Sequence, residues 1–362
     1  MKIGVPKERL ACEARVGLTP ALVRTLVKSG HTCYIEQGAG TGSGFDDYDY
    51  ERQGAHIVPT LGDVYTQSDL ILKVMRPTPE EIALMHEGQV VMGLLGMLAA
   101  PKEDVRALVA RGVTLVAYEH ISPDGKTFPV LKTMSEVTGR MAPYIAGMAL
   151  MRNGETGRGV LLSGVPGVSA AEVVILGGGV LGFNAARAFV GLGAKVFILS
   201  RNLDRLRALD DYFRGAVTTM VSHDYNIMNT VRFADVVIGA ARTPGQRPPL
   251  LITRTMLRNM RVNAVLIDFT IDHGGCAETS RPTTLENPTY VEEDIIHYCV
   301  PNVPGAVPRT STVAFLNAAM PYFMAVANQG PKAAFASLPE LQRAIIIQNG
   351  AILDKALAQD LQ

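Results

Sequence analysis

The chain has 362 residues, 48% of them hydrophobic and 19% charged, which gives enough apolar material for two domains and excludes a disordered chain. Lysine plus arginine balances aspartate plus glutamate at 34 each, which argues against a nucleic-acid or acidic-membrane partner held by bulk charge. Four scattered cysteines (Cys12, Cys33, Cys276, Cys299) form no C-x-x-C pair, so neither a zinc site nor a disulfide framework is indicated.

No ligand cluster for a metal stands out, and no uninterrupted apolar run approaches the ~20 residues that cross a bilayer. The N-terminus begins with a strand-like MKIGVP rather than a signal-peptide pattern, so a soluble cytoplasmic protein without a membrane partner is expected. In chain order, residues 2–5 read as a strand, 20–29 as a helix and 32–36 as a strand, followed by a glycine-rich loop over 38–44. A helix is expected over 47–54, a short buried strand over 70–74, a helix over 79–85, a strand over 89–95, a helix over 101–111 and a strand over 114–117. Strands alternating with helices predict a parallel, doubly wound α/β sheet. Residues 135–151 read as one long helix with Ser135 as its N-cap, leading into a polar loop over 152–158.

Residues 172–201 are the most informative stretch. An apolar run over 173–176 suits a strand buried on both faces. Gly177, Gly179 and Gly182 then spell G-x-G-x-x-G, with a helix expected over 184–192 and a second strand over 194–199. A glycine turn that follows a strand and opens a helix within a unit of ~30 residues marks a dinucleotide site. The first glycine permits the tight turn, the second lets backbone approach a pyrophosphate, and the third lets helix and strand pack closely. Val180 and Leu181 complete the candidate cofactor-binding turn at the helix N-terminus, where unpaired N–H groups favour anions.

The end of the second strand separates the two nicotinamide dinucleotides. An NAD site usually places Asp or Glu there, on the ribose hydroxyls. This chain has Ser200-Arg201, and no carboxylate before Asp204. A carboxylate at that point would repel a 2′-phosphate by ~4 kcal/mol per charge pair at a surface-like dielectric. Ser200 removes the repulsion, and Arg201 offers forked donors to phosphate oxygens. NADP(H) is therefore expected over NAD(H). Further on, strands are expected over 235–240 and 264–268 and a helix over 253–259. A Pro/Gly-rich connection over 302–309 precedes a helix over 310–328, and a last helical segment is expected over 339–358.

Several blocks spread over the chain carry a resemblance: MKIGVPKE with EARVGLTP, GAGTGSGF, ILKV, MSEVTGRMAP, GRGVLLSGVPGV, VVILGGGVLG, IDHGGCAETSRPTT and HYCVPNVPGAVPRTST. Together they resemble the alanine dehydrogenase family, related to the nicotinamide-binding subunit of proton-translocating transhydrogenase. The resemblance implies two Rossmann-like domains with the active site in the cleft between them, and a homo-oligomer, hexamer or dimer. It divides the chain into a substrate domain, 1–130 with 307–362, and a dinucleotide-binding domain, 131–306.

Carried over residue by residue, the family's carboxylate-binding arginine falls on Arg15, its active-site aspartate on Asp272, its substrate-loop asparagine on Asn302 and a serine near the nicotinamide on Ser135. Three other positions depart from the pattern. Met75 stands where the family has a second substrate lysine, Leu94 where it has tyrosine, and Gly96 where it has the acid/base histidine. Losing a positioned acid/base costs roughly 100- to 10,000-fold in rate. Asp272 and the neighbouring His273 are the first candidates to take its place, with His120, Tyr118 and His223 behind them and Arg76 as a cation beside the lost lysine. Met75 and Met97 suit an irregular, more apolar substrate wall. The expectation is an NADP(H)-dependent oxidoreductase acting on a C–N bond, of imine reductase or amino acid dehydrogenase type, with a small-molecule substrate different from alanine. An alanine dehydrogenase with an altered acid/base and a catalytically silent dinucleotide-binding protein are the alternatives.

Overall fold

In the computed structural model, which describes residues 1–361 apart from Glu155 and residues 242–246, the chain forms two compact units. One comprises Met1–Met134 and Pro304–Gln362, the other Ser135–Val303, so the divisions fall a few residues from the expected boundaries. Within the expected loop over 152–158, Glu155 lies outside the described residues, as does the final residue Gln362.

The first unit is built on β1 (Lys2–Val5), β2 (Thr32–Glu36), β3 (His56–Val58), β4 (Leu70–Leu72), β5 (Val90–Gly93) and β6 (Thr114–Ala117). They run in the spatial order β3-β2-β1-β4-β5-β6, all neighbours parallel. The second unit has β7 (Glu172–Leu176), β8 (Lys195–Ser200), β9 (Val217–Val221), β10 (Val236–Gly239), β11 (Val265–Asp268), β12 (Thr289–Glu292) and β13 (Ile295–Tyr298). Their order is β9-β8-β7-β10-β11-β13, again parallel, with β12 antiparallel at the edge. Each unit therefore shows the strand order of a dinucleotide-binding doubly wound sheet, in which the chain reverses direction of progress beside its first strand. Ligands of such sheets bind beyond the carboxyl ends of the strands at that reversal.

The apolar run of β7 explains itself by its two faces. Val173 and Ile175 join one buried cluster, and Val174 and Leu176 join another on the opposite side. A strand covered on both faces has no position that tolerates water, so the hydrophobic pattern is continuous rather than alternating.

Three local expectations need correction. Ser135 is not an N-cap: the long helix is Pro129–Leu150, begun by a proline whose fixed φ suits the first turn. The helix after the glycine turn starts at Val180, directly behind Gly179, rather than at residue 184. The segment over 339–358 is not one helix. It comprises the short helix Pro339–Arg343, an antiparallel pair β14 (Ile345–Gln348) and β15 (Ala351–Ile352), and the helix Lys355–Asp360. β-Branched Ile345, Ile346 and Ile347 favour a strand, and Asn349-Gly350, both at positive φ, make the two-residue hairpin turn. β14 pairs antiparallel with β6, so this hairpin extends the first sheet.

The helix Pro308–Gln329 is long and apolar enough to cross a bilayer by length and composition. Phe315, Leu316, Ala319, Phe323 and Val326 are nevertheless buried in its own unit, as in a core helix.

Candidate functional site

The first unit gathers its candidate residues at strand carboxyl ends. Arg15 follows β1, Met75 follows β4, and Leu94 and Gly96 follow β5. Arg15 is 2% exposed and is gripped by its near neighbour Glu13, which accepts from Arg15 Nε at 2.8 Å and Nη2 at 2.5 Å. Met134 Sδ lies 3.4 Å from Nη1 and Met75 Sδ 3.7 Å from Nη2, so the guanidinium sits among sulfur and carboxylate. Two blocks far apart in sequence hold this loop and each other. Ser43 Oγ donates to the Ala14 carbonyl at 3.0 Å, Thr312 Oγ1 accepts from the Val16 N–H at 3.2 Å, and Arg309 donates to the Gly44 carbonyl at 2.6 Å.

Met75 is set by a buried charge cluster that sequence reading missed. The Glu8 carboxylate accepts from the Val74 N–H at 2.7 Å and the Met75 N–H at 3.4 Å. Lys73 Nζ lies 3.3 Å from Glu8 and 2.5 Å from Glu81, with all three side chains at most 1% exposed. Burial pushes the Glu8 carboxyl up, against the pull of Lys73. Burial also works against the Lys73 ammonium, but the Glu8 and Glu81 carboxylates outweigh it and hold its pKa above the ordinary value. The signal was present in ILKV, a lysine placed where a strand ends in the core.

Gly96 adopts φ +54, and a Cβ built there would meet nothing within 4 Å. Its N–H donates to Glu119 Oε1 at 2.6 Å, and the Leu95 N–H donates to Oε2 at 3.1 Å. Burial raises the Glu119 pKa, with His120 and these N–H donors opposing. Glu119 thus fixes the turn after β5. His120 Nδ1 instead stands 3.7 Å from Asp354 Oδ2, and His223 caps a helix by accepting from the Asn226 N–H at 3.3 Å. The Tyr118 hydroxyl is buried without a hydrogen-bond partner among the described residues, and burial raises its pKa.

The second unit carries the cofactor turn. Gly177 is at φ +126, and a Cβ on Gly182 would fall 1.8 Å from the Gly177 carbonyl oxygen. A Cβ on Gly179 would meet nothing within 4 Å. The outer glycines are thus required by the protein's own backbone, while the middle one borders open space where a pyrophosphate can approach the helix Val180–Gly191. Gly139 of the long helix presses on this turn, its missing Cβ 2.5 Å from the Leu181 carbonyl. Ser200 ends β8, half-buried, and Arg201 is exposed beside it. The residues fit a dinucleotide.

Asp272 and His273 form a single 3₁₀ turn after β11, and Asn302, at φ +50, follows β13. The Asn302 N–H donates to Asp272 Oδ1 at 3.2 Å, which brings these two candidates together. Their loop is shaped by Asp268, 1% exposed. It accepts from the Thr270 N–H at 2.9 Å, Thr270 Oγ1 at 2.6 Å, the Cys276 N–H at 2.7 Å and Ser280 Oγ at 2.6 Å. Ser135 lies in the body of the long helix, half-buried.

Two doubly wound sheets, one with a dinucleotide turn and the other with a buried arginine in the loop after its first strand, define a nicotinamide-dinucleotide-dependent oxidoreductase. The comparisons narrow this class. Residues 4–138 match the alanine dehydrogenase/PNT N-terminal domain and residues 142–355 the corresponding C-terminal domain. The chain is 43% identical over 362 residues to an alanine dehydrogenase of Mycobacterium tuberculosis, covering 100% of this chain and 97% of that protein. It is 44% identical to an alanine dehydrogenase of Bacillus subtilis, covering 100% of this chain and 95% of that protein. A solved L-alanine dehydrogenase superposes with a TM-score of 0.96 at 42% identity, each chain covered completely. The chain belongs to the alanine dehydrogenase family. The expectation of a substrate other than alanine finds no support among these relatives; the alternative of an alanine dehydrogenase accords with them better.

Proposed function

We propose that this protein is an amino acid dehydrogenase that interconverts a small α-amino acid, with alanine first, and its 2-oxo acid, using a proton-handling group other than a histidine at position 96. The observation that carries the reading is the end-to-end likeness to curated alanine dehydrogenases, in which Arg15 remains a buried guanidinium suited to a carboxylate. A nicotinamide dinucleotide held at the turn Gly177–Gly182 would supply the hydride acceptor for the amine-bearing carbon. Arg15, held by Glu13, orients the substrate carboxylate. Asp272 or His273 takes the amine proton and then activates water for addition to the imine carbon, after which the C–N bond breaks and ammonia leaves the 2-oxo acid; Asn302 positions Asp272 through its N–H. Met75 and Leu94 line the substrate wall and exclude water. Ser135 and the turn Gly177–Gly182 serve the cofactor, with NADP(H) preferred through Ser200 and Arg201. The working form is a cytoplasmic homo-oligomer.

A second reading keeps the chemistry and enlarges the substrate, because the missing side chain at Gly96 opens onto space. The test is turnover by the purified protein of L-alanine with NADP⁺ or NAD⁺, and of pyruvate plus ammonium with the reduced cofactors. Turnover of alanine above that of bulkier amino acids supports the first reading. The reverse order favours the second. Tight cofactor binding without turnover of any amino acid or 2-oxo acid refutes both and leaves a silent dinucleotide-binding protein.

A further inference from the structure

Two carboxylates grip the ends of the two central strands of the first sheet in the same manner. The strands stand there in the order β1-β4-β5-β6, and an acid beyond each outer strand reaches inward. Glu8, beyond β1, accepts from the consecutive Val74 and Met75 N–H groups that follow β4, at 2.7 and 3.4 Å. Glu119, beyond β6, accepts from the consecutive Leu95 and Gly96 N–H groups that follow β5, at 3.1 and 2.6 Å. The Leu94 N–H donates to the Val74 carbonyl at 2.8 Å and ties the two segments together. We infer that Glu119 is a positioning residue for the substrate: without touching it, Glu119 sets the segment 94–96 that carries Leu94, as Glu8 sets Met75. The inference rests on the amino acid dehydrogenase reading proposed above.

The geometry of the strand end supports this assignment. A strand that runs out of its ladder leaves N–H groups without strand partners, and the loop beyond it can take several paths. A carboxylate that accepts two consecutive N–H bonds removes that freedom, because both donors must point at one group. Gly96 takes φ +54 at this point, a conformation open to glycine without strain. Leu95 and Met97 are buried in the core, whereas Leu94 is half-buried and Gly96 exposed, so the grip on residues 95 and 96 orients the open side of the segment. A glutamine of the same size at position 119 offers one oxygen, and its amide nitrogen faces the second N–H as donor against donor.

The test compares full-length wild type and Glu119→Gln by steady-state kinetics on L-alanine, or on L-leucine where the bulkier substrate is the faster. Equilibrium binding of NADPH and NADH is measured beside it, without substrate. KM for the amino acid is expected to rise roughly 10- to 100-fold, as for hydrogen bonds to a charged group, with kcat within about threefold and cofactor affinity unchanged. Glu119→Asp keeps the charge with a shorter reach and should fall between; it carries the comparison if Glu119→Gln does not fold. In a Leu94→Ala background Glu119→Gln should add less than about threefold, since the side chain it places is gone. An unchanged KM refutes the inference, and so does a KM effect that persists in full in that background. Parallel losses of turnover, substrate affinity and cofactor affinity mark Glu119 as merely structural and also refute it. If wild type turns over no amino acid, the dehydrogenase reading fails and takes this inference with it.

Discussion

Glu13 holds Arg15 at three points: its carboxylate accepts from the Arg15 backbone N–H at 3.0 Å, from Nε at 2.8 Å and from Nη2 at 2.5 Å. The pair is buried, so each charge is the other's compensation for lost water. Glu13→Gln leaves a buried guanidinium facing a neutral amide. It is expected to destabilise the fold by about 3–5 kcal/mol, the range for breaking a buried pair. Urea unfolding of the two proteins measures this. A change below about 1 kcal/mol would show that Arg15 does not depend on Glu13.

The Lys73 cluster makes a prediction with a pH signature. Lys73→Met removes the ammonium that Glu8 and Glu81 both contact in the core, and a loss of about 3–5 kcal/mol is expected near pH 7. The folded pKa of Glu8 is already raised by burial, and removing the ammonium raises it further. A carboxyl whose folded pKa lies above its unfolded value contributes stability below the unfolded pKa and loses it as pH rises through the folded one. The deficit of Lys73→Met should therefore shrink towards pH 5. Urea midpoints of both proteins across that interval provide the check, and a deficit independent of pH would refute the coupling.

The legible parts of this chain were those whose cause is local. The glycine turn and the two-faced strand β7 each announce themselves within ten residues, because backbone closeness and burial on both sides act on neighbours. Glu8 and Lys73 stand 65 positions apart and make sense only once β1 and β4 lie side by side. Glu13 sat in a quoted block, but nothing in its spacing said that its partner would be Arg15 rather than solvent. The terminal hairpin was legible and was overlooked: three isoleucines and Asn349-Gly350 are a strand and turn signal within a segment read as helical.

His297 is wholly buried, with Nδ1 2.9 Å from the Ile295 carbonyl and Nε2 2.7 Å from Thr279 Oγ1. The carbonyl can only accept, so Nδ1 carries the proton and Nε2 accepts from the threonine hydroxyl. Burial lowers its pKa below the ordinary histidine value, outweighing the Ile295 carbonyl. The unfolded chain then takes up a proton that the folded one refuses. The associated stability is present above the unfolded pKa and is lost as pH falls through the interval down to the folded one. Melting temperature should decline below about pH 6.5. His297→Gln should lower the melting temperature overall yet flatten that decline, and an unchanged slope would assign the acid sensitivity elsewhere.

The glycine turn separates fold from binding by two substitutions three positions apart. At Gly182 a methyl group would press within 1.8 Å of the Gly177 carbonyl, a contact that only backbone movement relieves. Gly182→Ala is expected to open the helix away from β7 and cost at least ~2 kcal/mol, at the upper part of the range for overpacking a tight contact. At Gly179 the same methyl group meets no protein atom within 4 Å, and its backbone φ of −71 suits any residue. Gly179→Val should therefore leave the melting temperature within a few degrees of wild type while filling the space in which a pyrophosphate meets the helix N-terminus. The dinucleotide affinity should fall at least ~10-fold, equivalent to about 1.4 kcal/mol. Calorimetric melting and cofactor titration on both variants distinguish the two roles. A Gly179→Val protein that melts normally and binds either cofactor as wild type does would remove the pyrophosphate from this turn.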